Sequence, residues 1–106
     1  MEKLAFRFDG GKLSAGKPTL VGVLASGNLE VLVESAALCG ACEIEITTAA
    51  NGFGDTWQGV LADFFERHRA GNVRIRVNDA GATPAIVSLR LDQAMETYLS
   101  SGERHA

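Results

Sequence analysis

The chain is short of reactive side chains. Its 106 residues hold only two histidines, two cysteines, two prolines and one tryptophan. His68 falls beside Arg67 and Arg69 at the end of a candidate helix, where a solvated capping role suits it, and His105 lies in the C-terminal tail. Without a placed histidine, a serine hydrolase of the Ser-His-Asp type has no base. No two acidic residues form a convincing acid–base pair either. A net charge of −3 supplies no basic patch for nucleic acid. No apolar run is long enough to span a bilayer. The N-terminal "MEKLAFRF" carries charges early and lacks the apolar core of a signal peptide. The expectation is a cytoplasmic protein with reduced thiols.

The motifs that do occur have ordinary explanations. "CGAC" (39–42) has the C-x-x-C spacing, but no second pair completes a zinc site. It leads into a strand rather than a helix, so no dipole activates a thiol, and Cys42 is expected to face the core. A thiol-redox enzyme is therefore a remote reading. Gly10, Gly11 and Gly16 match neither a phosphate-binding loop nor a dinucleotide fingerprint. No metal site is expected.

What the chain has is clean periodicity. Leu4, Phe6 and Phe8 alternate with Lys3, Ala5 and Arg7, and a Gly-rich loop over 9–18 ends that strand. Residues 19–34 read as a hairpin with Gly27 and Asn28 as its two turn residues. This register sets Ser26 opposite Leu29, Leu24 opposite Val31 and Gly22 opposite Val33 on an apolar face. Val21 and Val23 fall on the other face with Glu30 and Glu34. Cys42, Ile44 and Ile46 alternate in the next strand, and Val73, Ile75 and Val77 in the last. Between them, Trp57, Val60, Leu61, Phe64 and Phe65 recur at helical spacing. A helix over about 55–69 is expected, with Asp55 and Gln58 as a capping box and Gly71 as the stop. Thr83 and Pro84 announce a second helix, whose stripe is Val87, Leu91, Ala94, Met95 and Tyr98. The tail from about 101 to 106 is expected to fray.

These elements predict one domain over 1–106, an α+β two-layer sandwich. Its antiparallel or mixed sheet has about five strands, with two helices on one face. Lys3, Arg7, Arg74 and Arg76 lie on some strands and Glu30, Glu34, Glu43 and Glu45 on others. Alternating such strands would pair opposite charges across the open face.

Ser26 is the remaining candidate. Serines beside turns usually bond the local backbone. A hairpin tip, however, is open to another enzyme, and no base stands near to make this serine a nucleophile. That combination suits an acceptor of modification better than a catalyst. Phe53, in the "AANGFG" loop, is a possible anchor for a partner.

"GVLASGNLEVLVE" (22–34), "NGFGDTWQGVLADFF" (51–65) and "NDAGATPAIVSLRLDQ" (78–93) resemble the acyl carrier (delta) subunit of bacterial malonate decarboxylase. The likeness runs in order over most of the chain. A weaker one extends to the citrate lyase acyl carrier chain, which stands as an alternative beside a plain protein-interaction domain. "ALCGACEI" has no counterpart in the family. The resemblance implies that Ser26 carries 2'-(5''-phosphoribosyl)-3'-dephospho-CoA through a phosphodiester. It implies a non-catalytic carrier that holds acetyl and malonyl groups as thioesters. The partners it implies are acyltransferase and decarboxylase subunits, a prosthetic-group transferase and a malonyl transferase, with no nucleic acid and no membrane. The family commonly has Asp where this chain has Asn28, which removes one charge near the linkage. Gly27 and Asn28 flank the attachment point. Gly81, Ala82 and Thr83, at the start of the second helix, are expected near Ser26, where backbone N–H groups favour an anion.

Overall fold

The computed structural model describes residues 1–103. Its elements are β1 (Glu2–Phe8), β2 (Lys12–Leu13), β3 (Thr19–Gly22), β4 (Leu29–Ser35), β5 (Cys42–Thr48), α1 (Gly54–His68), β6 (Ala70–Gly71), β7 (Val73–Asp79) and α2 (Pro84–Glu103). Five strands form one mixed sheet in the order β1-β5-β7-β4-β3, and β2 and β6 make a two-residue parallel pair. The alternating residues Leu29, Val31, Val33, Ile44, Ile46, Val73, Ile75 and Val77 are all buried on one face. The helices cover that face with Trp57, Leu61, Phe64, Leu91, Met95 and Tyr98. The α+β sandwich is as the periodicity predicts.

The open face is a charge ladder. Arg7 on β1 meets Glu43 on β5 at 2.8 Å, and Arg74 on β7 reaches the same carboxylate at 3.3 Å. Arg76 lies between Glu34 of β4 and Glu45 of β5, at 3.3 and 3.4 Å. Signs alternate strand by strand, so this face needs no ligand to account for its charges.

The hairpin differs from expectation. β3 pairs Thr19 with Val33 and Gly22 with Glu30, a register three residues from the one predicted. An odd shift exchanges the faces of a strand. Thr19 and Val21 therefore turn toward the core, while Leu20, Val23 and Leu24 are exposed. Gly22 ends the strand with a φ of +89°, a conformation an extended chain does not take. The tight turn spans Ala25–Asn28, closed by the Asn28 N–H donating to the Ala25 carbonyl at 2.9 Å. Ser26 and Gly27 are its central pair and only Gly27 has positive φ, +76°, the pattern of a type II turn.

Other departures are local. Phe53 caps α1 without a side-chain bond, so Asp55 is a first-turn residue and no capping box forms. The helix ends on Arg69 in the left-handed region, not at Gly71, which is buried in β6. α2 runs to Glu103, so residues 101–103 are helical rather than frayed. Ser101 accepts from the Lys17 N–H at 2.8 Å there. His105 and the rest of the expected tail lie outside the described residues.

Candidate functional site

Topology brings several loops to one end of the sheet. β5 and β7 are parallel neighbours, so their last residues, Thr48 and Asp79, stand side by side. Each strand leads into a helix, and both helices start at this end. β4 runs antiparallel to β7, so Leu29, at its start, lies opposite Asp79. The Ser26 turn precedes Leu29 and therefore lies at this end too.

The turn is stitched to the loop after β7. The Gly27 N–H donates to the Ala80 carbonyl at 2.8 Å, and the Ala80 N–H donates to the Asn28 carbonyl at 2.9 Å. Covalent geometry then holds the Cα atoms of Ser26 and Gly81 within about 8 Å of each other. Ala82 and Thr83 follow on the same loop, and the Thr83 hydroxyl accepts from the Ile86 N–H at 3.3 Å as the cap of α2. Ser26, Gly27, Asn28, Gly81, Ala82 and Thr83 thus share one region of the molecule.

Ser26 is exposed, and among the described residues its hydroxyl makes no hydrogen bond. A Cβ placed on Gly27 would have no neighbour within 4 Å. Val23 and Leu24, each 58% exposed, leave apolar surface on the approach to it. The hydroxyl is reachable and idle, and among the described residues no histidine bonds it. This arrangement can accept a substituent.

Arg90 and Asp79, which carry no motif in the sequence, support the turn. The Asn28 side-chain oxygen accepts from the Leu29 N–H at 2.8 Å and from Arg90 Nε of α2 at 3.4 Å. A cation therefore stands two residues from Ser26. Asp79 is buried. It accepts from the Thr48 hydroxyl at 2.8 Å and from the Ala82 N–H at 2.9 Å. That carboxylate ties the ends of both parallel strands and shapes the loop that holds the turn. Neither tie has a local sequence signal, since Arg90 and Asn28 are 62 residues apart and Thr48 and Asp79 31.

Beside the turn is a cavity of about 470 Å³. Its walls include Phe53, Trp57, Val60, Ala82 and Val87, with Thr48 and Asp79 among the lining. Its size is that of a small-molecule site, roughly 300–1,000 Å³.

The cysteines stay apart from this region. Cys39 is exposed in a loop at a φ of +54°, and Cys42 is buried in β5. Burial, helped by the Glu43 charge, pushes the Cys42 thiol up to about 12, which leaves it unreactive. His68 is not a solvated cap. Its Nε2 donates to Asp92 of α2 at 2.8 Å, and Arg67 reaches the same oxygen at 2.9 Å, so the end of α1 is clamped to its neighbour.

A family model described as the malonate decarboxylase delta subunit matches residues 16–98. The chain belongs to the malonate decarboxylase acyl carrier family. It is 62% identical over 105 residues to the malonate decarboxylase acyl carrier protein of Stenotrophomonas maltophilia, covering 96% of this chain and 98% of that one. The counterpart from Burkholderia cepacia is 56% identical over 95 residues, covering 89% and 87%. Among solved structures, a chain of a Pseudomonas malonate decarboxylase hetero-tetramer in complex with malonate superposes with a TM-score of 0.82. It shares 38% identity, over 91% of this chain and 97% of that one. The fold and the family therefore agree with the resemblance drawn from the three quoted segments. Among the described residues, no helix is long and apolar enough to cross a membrane.

Proposed function

We propose that Ser26 is the attachment point of a phosphodiester-linked prosthetic arm, and that this chain is the non-catalytic acyl carrier subunit of a malonate decarboxylase complex. The observation that carries the reading is the exposed Ser26 hydroxyl, without a hydrogen bond among the described residues, on a rigid turn in a chain of this family. The residues fit such a group: there is open space over Gly27, and Arg90 sets positive charge near a phosphate at Ser26. When attached, 2'-(5''-phosphoribosyl)-3'-dephospho-CoA supplies a terminal thiol that takes up acetyl and malonyl groups as thioesters.

The chain's own task is presentation. The Gly27–Ala80 pairing fixes the turn against the sheet, so Ser26 offers its oxygen in one place to a prosthetic-group transferase. The rest of the domain then acts as a rigid handle. A tether replaces diffusion between sites with a local concentration on the order of millimolar. Acyltransferase and decarboxylase subunits, and a malonyl transferase that charges the arm, are the partners this role requires, in the cytoplasm.

Coexpression with the cognate transferase tests the reading by intact mass. One added arm per chain is expected, and none on Ser26→Ala. An unchanged mass for the wild type, or an increment retained in Ser26→Ala, would remove it.

A further inference from the structure

The cavity beside the turn has no part in displaying Ser26. We propose that it seats the purine base at the root of the prosthetic arm. This rests on the reading of Ser26 as the attachment point.

Three observations select the occupant. The first is position. Gly81 lines the cavity and follows Ala80, which is bonded to Gly27, so the wall begins within about 8 Å of Ser26. One ribose separates the phosphodiester from the adenosine, whereas the thiol is at the far end of the arm. The second is shape and polarity. Phe53, half-exposed, and Trp57 contribute flat apolar surface, and Val60, Ala82 and Val87 complete walls without a cation. Among the described residues no buried side-chain polar atom lacks a partner, so the pocket holds no unmet demand for a charged ligand. The third is charge. The Asp79 carboxylate in the lining opposes a malonyl carboxylate or a pyrophosphate and leaves a neutral aromatic ring undisturbed.

Weak affinity is enough. A tethered base experiences an effective concentration on the order of millimolar. An intrinsic Kd of about 1 mM then keeps it seated for about half the time or more. The root of the arm would be steadied while its thiol end stays free to travel, and the base could leave without a large barrier.

The test uses the full chain with and without the arm. Trp57 is the only tryptophan, so its fluorescence reports the pocket directly. Intact mass first establishes that Ser26 is loaded. The loaded chain should then show quenched Trp57 emission, and nuclear Overhauser contacts from the base protons to Trp57 and Val87. Free adenosine added to the unloaded chain should shift the resonances of Phe53, Ala82 and Val87 with a Kd of about 1 mM. Val60→Phe, on the α1 wall and away from the Ser26 turn, should weaken adenosine about tenfold while leaving Ser26 loading intact. Thr56→Phe, at an exposed lining position, repeats the measurement should the first variant fold poorly. A loaded chain with unchanged Trp57 emission, no base contacts and no response to adenosine overturns the seat and leaves the attachment standing. Pocket shifts that follow the acyl group on the thiol, and not adenosine, assign the cavity to the distal end and also overturn it. An unloaded Ser26 removes the attachment reading instead.

Discussion

Ser26 and Gly27 divide the labour of the turn between them. Ser26 contributes an oxygen that the fold does not use, and Gly27 contributes a φ of +76° that other residues adopt at a cost. Ser26→Ala should therefore leave the urea midpoint almost unchanged, within about 0.5 kcal/mol, because an exposed group without partners is removed. Gly27→Ala should cost about 1–2 kcal/mol through backbone strain in the left-handed region. It should also slow loading of Ser26, measured as the rate of mass gain with transferase. The two cysteines separate in the same way by environment. A thiol reagent at neutral pH should label Cys39 in the folded chain and reach Cys42 only on unfolding, since burial holds that thiol near 12. Ser26 could be singled out from sequence because a serine in a turn without a nearby base has few chemical options. Asp79 and Arg90 could not, because their partners are brought to them by strand pairing and helix packing.

At the scale of elements, periodicity identified most of what was visible. β1, β5 and β7 alternate cleanly because one face meets helices and the other meets charge. Two things set the hairpin register, and neither is visible in "ASGN". Tertiary bonds from Ala80 to Gly27 and Asn28 select Ser-Gly over Gly-Asn as the central pair, a shift of two residues, and the break of β3 at Gly22, with its φ of +89°, adds the odd residue that exchanges the faces. β2 and β6 are too short to carry any period. The α1–α2 clamp was also hidden, since His68 and Asp92 lie on different helices. Burial pushes the Asp92 carboxyl up, but hydrogen bonds and charge from His68 and Arg67 outweigh it and hold the group below its ordinary 3.8. The folded chain therefore binds this proton less tightly than the unfolded one. The stabilisation is complete above about pH 5 and is lost as pH falls through the lowered value. Asp92→Asn should lower the urea midpoint at pH 7, and the gap from the wild type should close as pH falls through the lowered value of the folded carboxyl.

For the whole molecule, the buried face and the charge ladder are unequal in weight. Ile75 and Arg76 are neighbours on central β7, one fully buried and one half-exposed between two glutamates. Ile75→Ala should cost about 2–5 kcal/mol through lost burial and a cavity. Arg76→Ala should cost at most about 1 kcal/mol, because exposed ion pairs gain little over hydration. Denaturant midpoints of the two variants compare the faces within one strand. The stable sheet matters to function because its end fixes the Ser26 turn, and a carrier needs that turn held in one place. The most direct measurement is fragment-ion mapping of the chain purified from its native host. A phosphoribosyl-dephospho-CoA increment confined to Ser26 is the predicted result. An unmodified Ser26 in chain drawn from an active decarboxylase complex, or the increment on another residue, would contradict the account.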